Sequence, residues 1–175
     1  KEVLIKKLIS FFKKIQVANV SEGIINKLYE NGLNDLNKII NASVDDFKKI
    51  EGIQITMANK IYNNIHESLK NICLSELIAA STIFGQGFGE KRIQPIIDML
   101  KNNNKLEDTF NLKMDKDKLI ELISNIDGFQ LKTASGFVNN LNKFYDYKIK
   151  YPTLKIDKLI QKEIEKSCSK TLNKE

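Results

Sequence analysis

Ile50-Glu51-Gly52-Ile53-Gln54-Ile55-Thr56-Met57-Ala58 recurs 76 residues on as Ile126-Asp127-Gly128-Phe129-Gln130-Leu131-Lys132-Thr133-Ala134. The common pattern is Ile, acid, Gly, apolar, Gln, apolar, two variable residues, Ala. Two variants keep its outline. Gly87-Phe88-Gly89-Glu90-Lys91-Arg92-Ile93 holds both glycines, and Asn19-Val20-Ser21-Glu22-Gly23-Ile24-Ile25 is the most degenerate. A Gly-apolar-Gly bend between two amphipathic helices leaves backbone N–H groups bare at a helix N-terminus, where they can hold a phosphate. Four such bends in a basic chain predict a surface for the nucleic-acid backbone.

The bends begin at Asn19, Gly52, Gly87 and Gly128, so the steps are 33, 35 and 41 residues. Bends one and three end in Ile25 and Ile93, whereas bends two and four end in Ala58 and Ala134. The repeating unit is therefore a pair of hairpins. Corresponding bends lie 68 and 76 residues apart, and the surplus of 8 points to an insertion in the polar stretch Lys101-Asn102-Asn103-Asn104-Lys105. Helical stripes connect the bends. Ile5, Leu8, Ile9 and Phe12 fall at i, i+3, i+4, i+7. Ile24, Ile25, Leu28 and Tyr29 form a second stripe, stopped at Asn31-Gly32. Ser43-Val44-Asp45-Asp46 reads as a capping box. Ile93, Ile96, Ile97 and Leu100 follow bend three, with Pro95 expected in the first turns of that helix, where proline is best tolerated. No alternating stretch is long enough for a sheet. The fold class is all-α: duplicated hairpin pairs, four hairpins in all, forming a compact DNA-binding domain. The expected division is 1–72, 73–150, and a basic tail or helix at 151–175.

Composition agrees with this. Apolar residues make up 42% of 175, charged residues 29%, and prolines number 2, which suits a helical globular chain. The net charge of +6 favours an anionic partner. No apolar run approaches the roughly 20 residues that span a bilayer. Cys73 and Cys168 stand far apart with a single His66, which speaks against a zinc site and for a reducing, intracellular compartment. A first residue of Lys1 in place of Met points to a piece of a longer protein.

The first position of each bend requires φ > 0, which Gly adopts without strain and Asn tolerates next best. Gly52, Gly87, Gly128 and Asn19 fit that demand. The apolar residues Val20, Ile53, Phe88 and Phe129 can plug down between the helices. The second glycine lets a phosphate approach closely; only Gly89 keeps it, with Ser21, Gln54 and Gln130 elsewhere. Ser21 can cap the following helix, and the two glutamines can donate from their amides. Lys91, Arg92 and Lys132 supply positive charge, and Thr56 and Thr133 supply hydroxyls. Bend three, with its intact glycines and adjacent cations, ranks first as a phosphate site. Such contacts position a protein on DNA without reading bases.

Three phrases carry a resemblance to a known family. They are Asn19-Val20-Ser21-Glu22-Gly23, Leu28-Tyr29-Glu30-Asn31-Gly32-Leu33, and Ser43-Val44-Asp45-Asp46-Phe47-Lys48-Lys49-Ile50-Glu51-Gly52-Ile53. Together they resemble the helix-hairpin-helix region of NAD-dependent DNA ligases. Ala79-Ala80-Ser81-Thr82-Ile83-Phe84-Gly85-Gln86-Gly87-Phe88-Gly89-Glu90-Lys91-Arg92 resembles that family's third motif. The likeness covers residues 1–147. It implies a tandem helix-hairpin-helix domain gripping nicked double-stranded DNA through backbone contacts across the minor groove. The contacts carried over fall on Asn19 and Ser21, Gly52 and Gln54, Gly87 and Gly89, Gly128 and Gln130. The resemblance also implies a parent ligase using NAD and a divalent metal, with zinc-finger cysteines upstream of Lys1. No cofactor is expected in this segment itself.

Ligase chemistry needs a lysine nucleophile in a Lys-x-Asp-Gly setting, and Lys113-Met114-Asp115-Lys116 lacks the glycine. It reads as a solvated helix start, and the segment is expected to be non-catalytic. Three other readings are a glycosylase-type module using Lys132 and Asp157, a hairpin module of a repair nuclease, and a helical protein-interaction module.

Overall fold

A computed structural model describes the backbone of residues 1–172 and the side chains of residues 1–166. All regular structure among the described residues is helical. The chain divides into two units, Lys1–Ile72 and the remainder from Cys73.

The first unit contains α1 (Glu2–Lys14), α2 (Glu22–Glu30), α3 (Leu36–Asn41), α4 (Val44–Lys48) and α5 (Ile55–Asn71). Ile5, Leu8 and Phe12 of the first stripe are buried, as are Ile25 and Leu28 of the second. With Phe47, Ile61 and Ile65 they build one core. Each such side chain contributes about 1.5–3 kcal/mol relative to exposure. The capping box is present: Ser43 Oγ accepts from the Asp46 N–H at 3.1 Å, and Asp46 Oδ2 accepts from the Ser43 N–H at 2.8 Å. These bonds to Ser43 hold the Asp46 carboxyl below its ordinary range. They fix the start of a helix only 5 residues long, too short to persist on propensity alone.

The second unit follows the same order with α6 (Leu74–Ser81), α7 (Glu90–Asn102), α8 (Leu106–Phe110), α9 (Lys116–Ser124) and α10 (Leu131–Asn139). It then adds α11 (Leu141–Lys150), a 3-10 turn (Pro152–Leu154) and α12 (Ile156–Leu172). Its core is aromatic. Phe84 stacks on Phe137 with centroids 4.4 Å apart and lies 5.6 Å from Phe144, which in turn meets Phe110 at 5.5 Å. α12 packs on α6, α7 and α8 through buried Ile156, Leu159 and Ile160. The segment after Tyr151 is therefore built into this unit as far as its side chains are described. Cys168 lies outside the described side chains.

Two details differ from the sequence reading. The surplus of 8 residues is not an insertion at Lys101–Lys105. The connections between α2 and α4 and between α7 and α9 are equally long, at 31–43 and 103–115. Instead α7 (13 residues) exceeds α2 (9) by one turn, and α9 (9) exceeds α4 (5) by another. The polar run is the end of one helix and the link to a short buried one. Pro95 is the sixth residue of α7, beyond the first turn. It removes the bond to the carbonyl of exposed Lys91, which solvent can satisfy.

Candidate nucleic-acid interface

Each bend joins two helices that pack on one another: α1 with α2, α4 with α5, α6 with α7, α9 with α10. The four connections share one backbone geometry. Asn19, Gly52, Gly87 and Gly128 take φ of 63°, 85°, 92° and 83°. Two residues later Ser21, Gln54, Gly89 and Gln130 are extended N-caps with ψ of 170°, 171°, 178° and 164°. In turns two and four the N–H of Ile53 donates to the Ile50 carbonyl and that of Phe129 to the Ile126 carbonyl, both at 3.0 Å. The positive φ at the third position is what a type II turn requires.

The residue between bend and cap points inward in the expected way. Ile53 is buried, and Val20, Phe88 and Phe129 are half-buried. Phe88 packs 5.8 Å from Phe137. Ala58 and Ala134, where the following helix meets its partner, are wholly buried. The polar candidates face solvent: Asn19, Ser21, Gly52, Gln54, Thr56, Gly87, Gly89, Lys91, Arg92, Gly128, Gln130 and Lys132 are exposed, and Thr133 is half-buried.

The caps are not equivalent. Ser21 Oγ accepts from the Ile24 N–H at 3.3 Å, so α2 has its own acceptor. Gln54, Gly89 and Gln130 make no side-chain cap. The first N–H groups of α5, α7 and α10 thus lack a side-chain acceptor. Gly89 has φ −80°, and a Cβ there would meet nothing within 4 Å. The fold does not demand this glycine, so its only evident use is to leave room.

Two cations stand where the sequence did not place them. Lys27 of α2 reaches turn two, so that a Cβ added to Gly52 would lie 2.6 Å from its Nζ. Arg92 belongs to the helix after turn three, yet its guanidinium serves turn four. Nη2 donates to the Gly128 carbonyl at 3.3 Å, and Cζ lies 4.7 Å from the centre of the Phe129 ring. Lys27 went unread because its reach depends on how α2 packs near α4 and α5, which periodicity does not encode.

The other candidates separate from this surface. Asp115 caps α9, accepting from the Lys118 N–H at 3.0 Å, as a solvated helix start should. His66 lies on α5 against Tyr62, centroids 4.3 Å apart. Asp157 is engaged by Lys148 at 3.1 Å, so a glycosylase-type pairing with Lys132 finds that carboxylate taken. Cys73, Glu76 and Glu90 each bring one potential ligand atom within 4.8 Å of the others. Burial pushes the Cys73 thiol up, and the protonated thiol donates to Glu76 Oε1 at 3.2 Å. Among the described residues no helix is long and apolar enough to cross a membrane.

No protein-family model matches the chain. No solved structure matches it either. Curated sequences do. The chain is 39% identical over 158 residues to a protein named DNA ligase from Acanthamoeba polyphaga mimivirus, covering 87% of this chain and 24% of that protein. A protein of Invertebrate iridescent virus 6 that also carries a DNA ligase name is 28% identical over 135 residues, covering 77% of this chain and 20% of its own length. The chain thus spans a quarter or less of the relatives it matches. It is related to a segment of proteins named DNA ligase.

Proposed function

We propose that this chain is the helix-hairpin-helix region of an NAD-dependent DNA ligase, and that it holds nicked duplex DNA by backbone phosphates while other domains seal the break. The observation that carries the reading is the shared turn geometry: four bends of one φ pattern, each solvent-facing, three of them opening onto helix N-termini without a side-chain cap. Bare N–H groups at a helix N-terminus favour an anion through both hydrogen bonding and the helix dipole. The net charge of +6 acts in the same direction. The DNA ligase names of the relatives supply the biological setting.

The chemistry of sealing lies outside this chain. Its residues do not suit NAD: the one Lys-x-Asp stretch, Lys113-Met114-Asp115, lacks the following glycine and spends Asp115 as a helix cap. NAD, a divalent ion and a zinc finger belong, in this proposal, to the rest of the parent protein.

The test is duplex binding followed by fluorescence anisotropy across a salt series, with nicked and intact duplexes of one sequence. The association constant should fall by about 0.9 log unit per log unit of salt for each phosphate neutralised, with little dependence on sequence. A salt-insensitive constant, or no binding at low salt, contradicts the proposal and favours a protein-interaction module.

A further inference from the structure

The four turns carry different residues at the first position of the following helix. After turns two and four it is a large aliphatic side chain left in water: Ile55 is 47% exposed and Leu131 is 65% exposed. After turns one and three it is an acid, Glu22 and Glu90. The first turns of α5 and α10 contain no acid at all. The cations divide the same way. Turn two receives Lys27 and turn four receives Arg92, each sent by the helix that follows the other turn of its own unit. An acid beside bare N–H groups stabilises the helix through its dipole but repels a phosphate from the same place. An exposed aliphatic residue does nothing for the isolated fold.

We propose that each unit grips DNA mainly through its second turn, with Ile55 and Leu131 resting on the deoxyribose edge of the minor groove and Lys27 and Arg92 meeting the adjacent phosphates. The inference rests on the DNA-binding reading and reverses the ranking that the intact glycines of turn three imply. The two kinds of evident asymmetry are independent: one concerns residues on α5 and α10, the other residues on α2 and α7. Apolar side chains at base steps and sugars are a general means of minor-groove contact. Arg92 spends one of its five donors on the Gly128 carbonyl and keeps the others for a ligand. Lys27 makes no ion pair among the described residues.

The experiment compares the whole chain with Ile55→Ala/Leu131→Ala, Glu22→Ala/Glu90→Ala and Lys27→Gln/Arg92→Gln, measuring duplex affinity as a function of salt. Alanine is the best helix former and all six sites are exposed, so helical content by circular dichroism should stay constant. The aliphatic pair should weaken binding about tenfold with an unchanged salt slope, because an apolar contact releases no counterions. The cation pair should weaken it and reduce the slope by about 2, one per side chain. The acid pair should bind as well as the unaltered chain or more tightly. If the unaltered chain binds and the aliphatic pair binds equally well, or if the acid pair is the one that loses affinity, this inference falls while the DNA-binding reading stands. If the unaltered chain does not bind duplex DNA, the functional reading itself has failed.

Discussion

Thr82 closes α6 with φ +59°, a left-handed conformation that a β-branched side chain adopts only under strain. The chain still needs that bend: the Thr82 N–H donates to Ala79, and the Thr82 carbonyl accepts from Gly85, each at 3.2 Å. Asn tolerates the conformation better. Thr82→Asn should therefore stabilise the second unit by about 1 kcal/mol, read as a rise of a few degrees in its thermal midpoint. An unchanged or lower midpoint would mean that the threonine methyl or hydroxyl compensates. At this scale the sequence is a partial guide. Asn19 was readable as a positive-φ residue because its neighbours match a glycine pattern, and it takes φ +63°. Thr82, Gln16 and Leu112 take the same region with no such pattern to announce them. Ile55 and Leu131 were visible as apolar members of the repeated phrase. Composition cannot tell that they face water while Ile53, two residues earlier, is buried.

Helices with a full stripe were legible, and short ones were not. α1, α2, α5 and α7 each present several apolar residues at helical spacing, and those residues form the core. α3 and α8 run for 6 and 5 residues. That is too few for a period to repeat, so they vanish into linkers although Leu36, Ile39, Leu106 and Phe110 are buried. The extra turns in α7 and α9 were misplaced for a related reason: an asparagine-rich run resembles an insertion even where it only ends a helix. α12 was open between linker and helix because its lysines mask the stripe of Ile156, Leu159, Ile160 and Glu163. Glu163 is 5% exposed, and its Oε2 meets Lys101 of α7 at 3.3 Å. Removing one partner of a buried pair leaves the other charge without compensation. Glu163→Ala should cost about 3 kcal/mol, measured by urea denaturation, and Lys101→Met combined with Glu163→Leu should recover most of it. A loss below about 0.5 kcal/mol, as for an exposed pair, would mean that the contact between α7 and α12 does not depend on it.

At the scale of the whole molecule, the two units repeat one order of helices and one turn geometry, and the charge of the chain is net positive. Repetition of a phrase at matched spacing is what made the architecture readable from sequence. The candidate surface was only half readable, because the cations at turns two and four come from other helices of their own units. The central claim is that backbone amides at these turns hold the DNA backbone. The most direct test is an amide NMR titration of the 15N-labelled chain with duplex DNA. The account predicts that the amides of residues 52–57 and 128–133 shift most, those of 87–92 and 19–24 less, and those of α3, α8 and α12 hardly at all. Shifts concentrated on those last three helices, with the turn amides unmoved, would contradict it.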